Sequence, residues 1–98
     1  MVANSLPPMA KPPYEADYRL LTESLRQARL RAQRDQAWVA EQLGVTQSYV
    51  SKYESGDSTL DVIEFVAVCG VLGLDPAREI GVIARRPRLR VKELDAGS

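Results

Sequence analysis

Apolar residues recur along the chain at the three- and four-residue steps of helices, and glycines and prolines divide that pattern into stretches. Tyr14, Tyr18, Leu21, Leu25, Ala28 and Ala32 form one stripe, which predicts a first helix over about 14–33, started by the prolines before it. The spacing also suits a coiled-coil seam, but it covers fewer than three heptads and ends on alanines, so core packing is the expectation. Val39, Ala40 and Leu43 mark the inner side of a second helix that begins near Gln36, with Asp35 as its cap. Gly44 ends that helix and Val45 turns inward. Thr46 caps a third helix, near residues 47–55, whose Val50 and Tyr53 face in and which stops before Gly56. A fourth helix, about 61–72, is expected to bury Val62, Phe65, Val68, Cys69 and Leu72. Gly73 closes it, and Asp75 with Pro76 starts a fifth that runs to about Ala84 and offers Ile80 and Ile83, with Leu74 before it. The fold class that follows is all-α, a compact five-helix bundle.

The ends differ in kind from the middle. Residues 1–13 hold two Pro-Pro pairs and no periodicity, and read as a flexible arm ahead of a folded domain at 14–84. Residues 85–98 form a basic tail, in which Arg88 to Lys92 alternate and suit an extended segment or a short strand paired with a second copy. The 98 residues suit one domain. The chain has one cysteine, Cys69, so an internal disulfide is impossible and a reducing cytosol fits. No stretch approaches the roughly 18 apolar residues of a membrane span, and no secretory signal is visible. A soluble, cytoplasmic protein is expected.

Thirteen basic and thirteen acidic residues leave no net charge, which argues against indiscriminate binding to nucleic acid. Their distribution changes that picture. Arg26, Arg29, Arg31 and Arg34 crowd the end of the first helix, and Arg85, Arg86, Arg88, Arg90 and Lys92 form a second basic run. Such a chain can present one face to phosphates.

Two short helices joined by a tight turn form a helix-turn-helix, whose second helix can lie in a DNA major groove. With Val50 and Tyr53 inward, Gln47, Ser48, Ser51 and Lys52 face out, and Tyr49 sits at the edge. Glutamine carries a donor and an acceptor spaced to pair with N6 and N7 of adenine, a contact that discriminates by about 1–3 kcal/mol. Serine serves either base type, and Lys52 can donate to guanine or to a phosphate. Gln36, at the start of the first motif helix, can donate to a phosphate beside the helix-end amides. The plain alternative is that Gln36 and Gln47 are ordinary surface residues at helix starts.

Gln36, Val39-Ala40, Leu43-Gly44-Val45, Gln47-Ser48, Val50-Ser51-Lys52, Glu54 and Gly56 together resemble the lambda-repressor-like (Xre/Cro) helix-turn-helix family. The likeness continues through Leu60, Val68 and Leu72-Gly73-Leu74-Asp75-Pro76, and covers roughly residues 18–80. It implies that the positions of Gln47, Ser48 and Ser51 read bases and that Gln36 clamps the backbone. It also implies a bacterium, a phage or a mobile element as the source. The chain departs from the family pattern at four places. Asp35 stands where Thr or Ser is usual, Trp38 where a polar residue is usual, Cys69 where alanine is frequent, and Asp57-Ser58-Thr59 where basic residues often follow the reading helix. Ser58 and Thr59 can still bind phosphate by hydroxyls and amides, Asp57 opposes it, and Arg34, Lys52 and the tail carry the rest. The expected DNA-binding set is Arg34, Gln36, Thr46, Gln47, Ser48, Tyr49, Ser51, Lys52, Ser58 and Thr59, with modest, salt-sensitive affinity.

Trp38 lies off the inward face, so it either folds over the first helix or meets another molecule. Cys69, without a second cysteine or a histidine, reads as a buried inert thiol. The leading expectation is a transcriptional regulator, a repressor, that binds double-stranded DNA as a homodimer on a pseudo-palindromic operator. The competing expectation is an antitoxin-like or adaptor module that grips a protein partner through Trp38 or the basic tail, with DNA binding secondary. An enzyme has little support: there is no histidine, no paired cysteine and no phosphate-cradling glycine loop. No metal or cofactor is expected.

Overall fold

The computed structural model describes residues 11–86, and within them the chain forms five helices: α1 (Lys11–Arg31), α2 (Gln36–Leu43), α3 (Gln47–Ser55), α4 (Val62–Leu72) and α5 (Pro76–Ala84). The first ten residues of the expected arm and residues 87–98 of the tail, with Arg88, Arg90, Lys92 and their alternating pattern, lie outside the described residues. α1 starts three residues before the expected position, so Pro12 and Pro13 fall in its first turn. There a missing N–H leaves no helical bond unmade.

Each later helix begins on a side chain that accepts a first-turn amide. Asp35 accepts from Trp38, Thr46 from Tyr49, Asp61 from Glu64 and Asp75 from Ala77. Asp61 and Glu64 form a reciprocal capping box, with bonds of 2.7 and 2.8 Å.

The end of α1 corrects the sequence reading. Gln33 takes a left-handed conformation at φ 59. Its N–H donates to the Leu30 carbonyl at 2.9 Å, and the Arg34 N–H donates to the Arg29 carbonyl at 3.2 Å. This is a Schellman closure on a residue other than glycine. The helix therefore stops at Arg31, and Ala32, expected in the core stripe, is exposed.

α1 packs against α3, α4 and α5, while α2 packs on α3 and α4. Leu25, Val39, Ala40, Val50, Tyr53, Phe65, Val68 and Cys69 form the buried core where they meet. Besides Ala32, two further residues expected on inner faces are exposed. Val62 is 75% exposed and Ile80 46% exposed, because the first turn of α4 and the middle of α5 border an open groove between α1, α4 and α5. α5 has no buried residue at all. Tyr18 ties α1 to the loop before α4: its hydroxyl accepts from the Leu60 N–H at 2.9 Å and donates to the Ser58 carbonyl at 3.4 Å.

Candidate nucleic-acid interface

The interface is built from the turn between α2 and α3. Gly44 takes φ 75, and its N–H reaches back to the Ala40 and Glu41 carbonyls. Val45 donates to the Ala40 carbonyl at 3.0 Å, which turns the chain sharply enough for Thr46 to start α3. α3 is held from behind by Val50 and Tyr53, both essentially fully buried. Helical geometry then dictates which residues face away. Gln47, Ser48, Ser51 and Lys52 are all exposed, in one row along a helix about 14 Å long. Gly56 closes α3 at φ 89.

Tyr49, expected at the edge, is half-buried. Its ring meets Tyr53 edge to face, with centroids 6.0 Å apart at 81°. Burial pushes its phenol pKa up, and hydrogen bonding to Glu64 acts in the same direction. Thr46 uses its hydroxyl on the Tyr49 N–H at 3.1 Å, so its role in the free protein is to cap α3.

Gln36 and Gln47 come together. The Gln47 Nε2 donates to Gln36 Oε1 at 3.5 Å, a long contact, and Gln36 Nε2 donates to Glu54 Oε1 at 3.0 Å. Glu54 in turn accepts two bonds from Arg29, at 2.8 and 2.9 Å. A continuous polar chain thus runs from α1 to the first residue of the reading helix. Arg29 is the residue that sequence reasoning misassigned. It was grouped with a basic cluster, yet it is 8% exposed, and its Nη1 also donates to the Arg34 carbonyl at 2.9 Å. Hydrogen bonding to Glu54 raises its pKa and keeps it charged. Arg26 is similarly engaged, with Glu23 at 3.4 Å.

Arg34 remains exposed, and its guanidinium lies over the Trp38 ring at 4.2 Å from the centroid. Trp38 itself is half-buried against the core. The sequence offered a ring folded over the first helix or an exposed contact surface; the ring instead packs against the core, with Arg34 over its face. Packing this ring beside α2 also gives Arg34 a platform.

Ser58 and Thr59 are exposed at the opposite end of α3. The Asp57 and Ser58 amides both donate to the Lys52 carbonyl, at 2.9 and 3.2 Å, which folds the loop onto the end of the helix. A cation that the sequence did not suggest stands here. The Arg19 guanidinium lies 3.6 Å from where a Cβ on Gly56 would be, and pairs with Glu15 at 3.7 Å. The loop carries Asp57 and no basic residue of its own, and α1 brings one to it from 37 positions away in sequence. No local pattern could have revealed that.

Among the described residues, no group of histidine, cysteine, aspartate and glutamate could hold a metal ion, and no helix is long and apolar enough to cross a membrane.

Residues 20–79 match a family described as a helix-turn-helix domain. A solved structure, an XRE-family like protein from Pseudomonas syringae pv. tomato str. DC3000, is similar at 39% identity with a TM-score of 0.70. The match covers 76% of this chain and 92% of that one. No curated protein sequence matches significantly.

Proposed function

The chain belongs to the Xre-type helix-turn-helix family of DNA-binding regulators, and we propose that within it the protein is a repressor, reading a pseudo-palindromic operator as two copies. The observation that carries the base-reading role is the exposed row Gln47, Ser48, Ser51 and Lys52, on a helix whose other side is locked into the core. α3 enters the major groove with Gln47 on adenine and Ser48, Ser51 and Lys52 on neighbouring base edges. Gln36 braces Gln47 on one side and offers an amide to the phosphate backbone. Arg34 on its Trp38 platform flanks that end, and Arg19, Ser58 and Thr59 flank the other. One such motif reads few base pairs, so two half-sites about one helical turn apart supply the specificity. The protein works where DNA is, in the cytoplasm of a bacterial cell.

Selection of bound duplexes from a random pool tests this, with Gln47→Ala beside the wild type. The expected result is a two-fold-symmetric motif for the wild type and one relaxed adenine position per half for the variant. Enrichment of nothing, with all binding lost as salt rises, would sink it.

The adaptor reading keeps one specific support. It is the apolar surface of α4 and α5, since Trp38 is occupied by Arg34 and the core.

A further inference from the structure

An amide side chain has a donor end and an acceptor end, so two glutamines in contact can be joined in either direction. Glu54 removes that choice for Gln36 and Gln47. A carboxylate only accepts, and Glu54 Oε1 accepts from Gln36 Nε2 at 3.0 Å. The Gln36 Oε1 is left to face Gln47, whose Nε2 donates to it at 3.5 Å. Gln47 then keeps its own Oε1 and its second Nε2 hydrogen for a base. Adenine offers the N6 donor and the N7 acceptor that match this pair, whereas guanine offers only acceptors at N7 and O6.

We infer that Glu54 is a positioning residue that makes Gln47 prefer adenine over guanine, without meeting a base itself. The inference deepens the function proposed above and rests on it for the groove contact of Gln47.

Glu54 is held so that it cannot turn to suit its neighbour. Its side chain is 4% exposed, and Arg29 occupies both oxygens, at 2.8 and 2.9 Å. Arg29 also donates from Nη1 to the Arg34 carbonyl at 2.9 Å, two residues before Gln36. One buried guanidinium therefore fixes both sides of the contact between Glu54 and Gln36. The ion pair would join α1 to α3 without Gln36. The bond to half-buried Gln36 is what carries the polarity of the carboxylate out to exposed Gln47. Because the last link is long, it transmits direction more than strength. A neutral amide at position 54 would free the relay. It could accept from Arg29 and donate to Gln36 Oε1, which turns Gln36 Nε2 onto Gln47 Oε1 and leaves Gln47 with donors only.

Binding to duplexes that carry each base in turn tests the inference, using Glu54→Gln, Gln36→Met and Gln47→Ala beside the wild type. Helical circular dichroism at the assay temperature shows which variants are folded. The position to read is the one that Gln47→Ala relaxes. Glu54→Gln should cut the adenine-over-guanine ratio there by about fivefold or more, the lower end of what a bidentate contact discriminates. Preferences at the other positions should stay as they are. Gln36→Met leaves the ion pair intact and should relax the same position. Any phosphate contact it loses lowers affinity for every sequence alike and cannot imitate that result. Should Glu54→Gln fail to fold, Gln36→Met decides. A folded Glu54→Gln or Gln36→Met that keeps the wild-type ratio, or relaxes every position alike, overturns the inference and leaves Gln47 its groove role. A wild type that enriches no motif, or a Gln47→Ala that relaxes none, overturns the proposed base reading and this inference with it.

Discussion

Arg29 and Glu54 form a two-pronged ion pair across the α1–α3 interface, with Nε to Oε2 at 2.8 Å and Nη2 to Oε1 at 2.9 Å. Their side chains are 10% and 4% exposed, so neither charge has much water to fall back on. Removing one member strands the other, which typically costs about 3–5 kcal/mol. Glu54→Ala is expected to destabilise the protein by that amount in urea unfolding. Arg29→Lys should recover only part of the wild-type stability, because an ammonium cannot hold both carboxylate oxygens and the Arg34 carbonyl in one plane. A loss under about 1 kcal/mol for Glu54→Ala would mean that the pair is not what fixes α3 on α1.

Trp38→Ala is expected to weaken DNA binding without touching base preference. A cation–ring contact near the surface is worth about 0.5–1 kcal/mol, so the loss should be about two- to fivefold. Trp38→Phe should keep much of the affinity. Fluorescence anisotropy with a cognate and a scrambled duplex checks it, and a change in sequence preference would contradict the backbone role given to Arg34.

Arg19→Ala probes the cation that α1 brings to the loop beside α3. If Arg19 contacts one phosphate, the slope of log K against log salt should become shallower by about 0.9. Unfolding stability should hardly change, because its partner Glu15 is an exposed neighbour one turn away. An unchanged slope would remove Arg19 from the interface.

The buried Tyr53 hydroxyl has no hydrogen-bond partner among the described residues. Tyr53→Phe should therefore be neutral or slightly stabilising, by up to about 1 kcal/mol, since it deletes an unpaired polar atom and keeps the ring. The ring should still hold the edge-to-face contact with Tyr49. A marked loss on thermal unfolding would reveal a partner that the described residues do not supply.

Burial pushes the Cys69 thiol up from an ordinary 9.0 to about 11, with Glu79 and Asp75 adding to it. A raised folded-state pKa means that its contribution to stability is complete below about pH 9 and is lost as pH rises from there toward 11. Stability measured across that window should decline, and Cys69→Ala should decline less steeply. The thiol should resist alkylation at pH 7 until the protein unfolds.

Gly70 is helical, exposed, and has open space where a Cβ would stand. Gly70→Ala should stabilise the protein by about 0.5–1 kcal/mol, raising Tm by several degrees. No packing or backbone demand in the described residues requires a glycine there.

What the sequence determined by itself is whatever depends on neighbours along the chain. Helical spacing placed α4, the same spacing with the caps at Asp35, Thr46 and Asp75 placed α2, α3 and α5, and Gly44 with Gly56 bounded the reading helix, because these signals act within a turn or two. They also turned Gln47, Ser48, Ser51 and Lys52 outward. The stop of α1 was missed because a glutamine holds the left-handed position that normally advertises itself as glycine. Only the tertiary structure could decide the rest. It made Arg29 a core residue by bringing Glu54 to it, put Trp38 under Arg34, and carried Arg19 to Gly56. It left Val62 and Ile80 exposed although their spacing matched buried neighbours. Whether an apolar face is covered, or a charge paired, depends on which distant element packs against it, and the five helices of the described residues leave some of their apolar faces open.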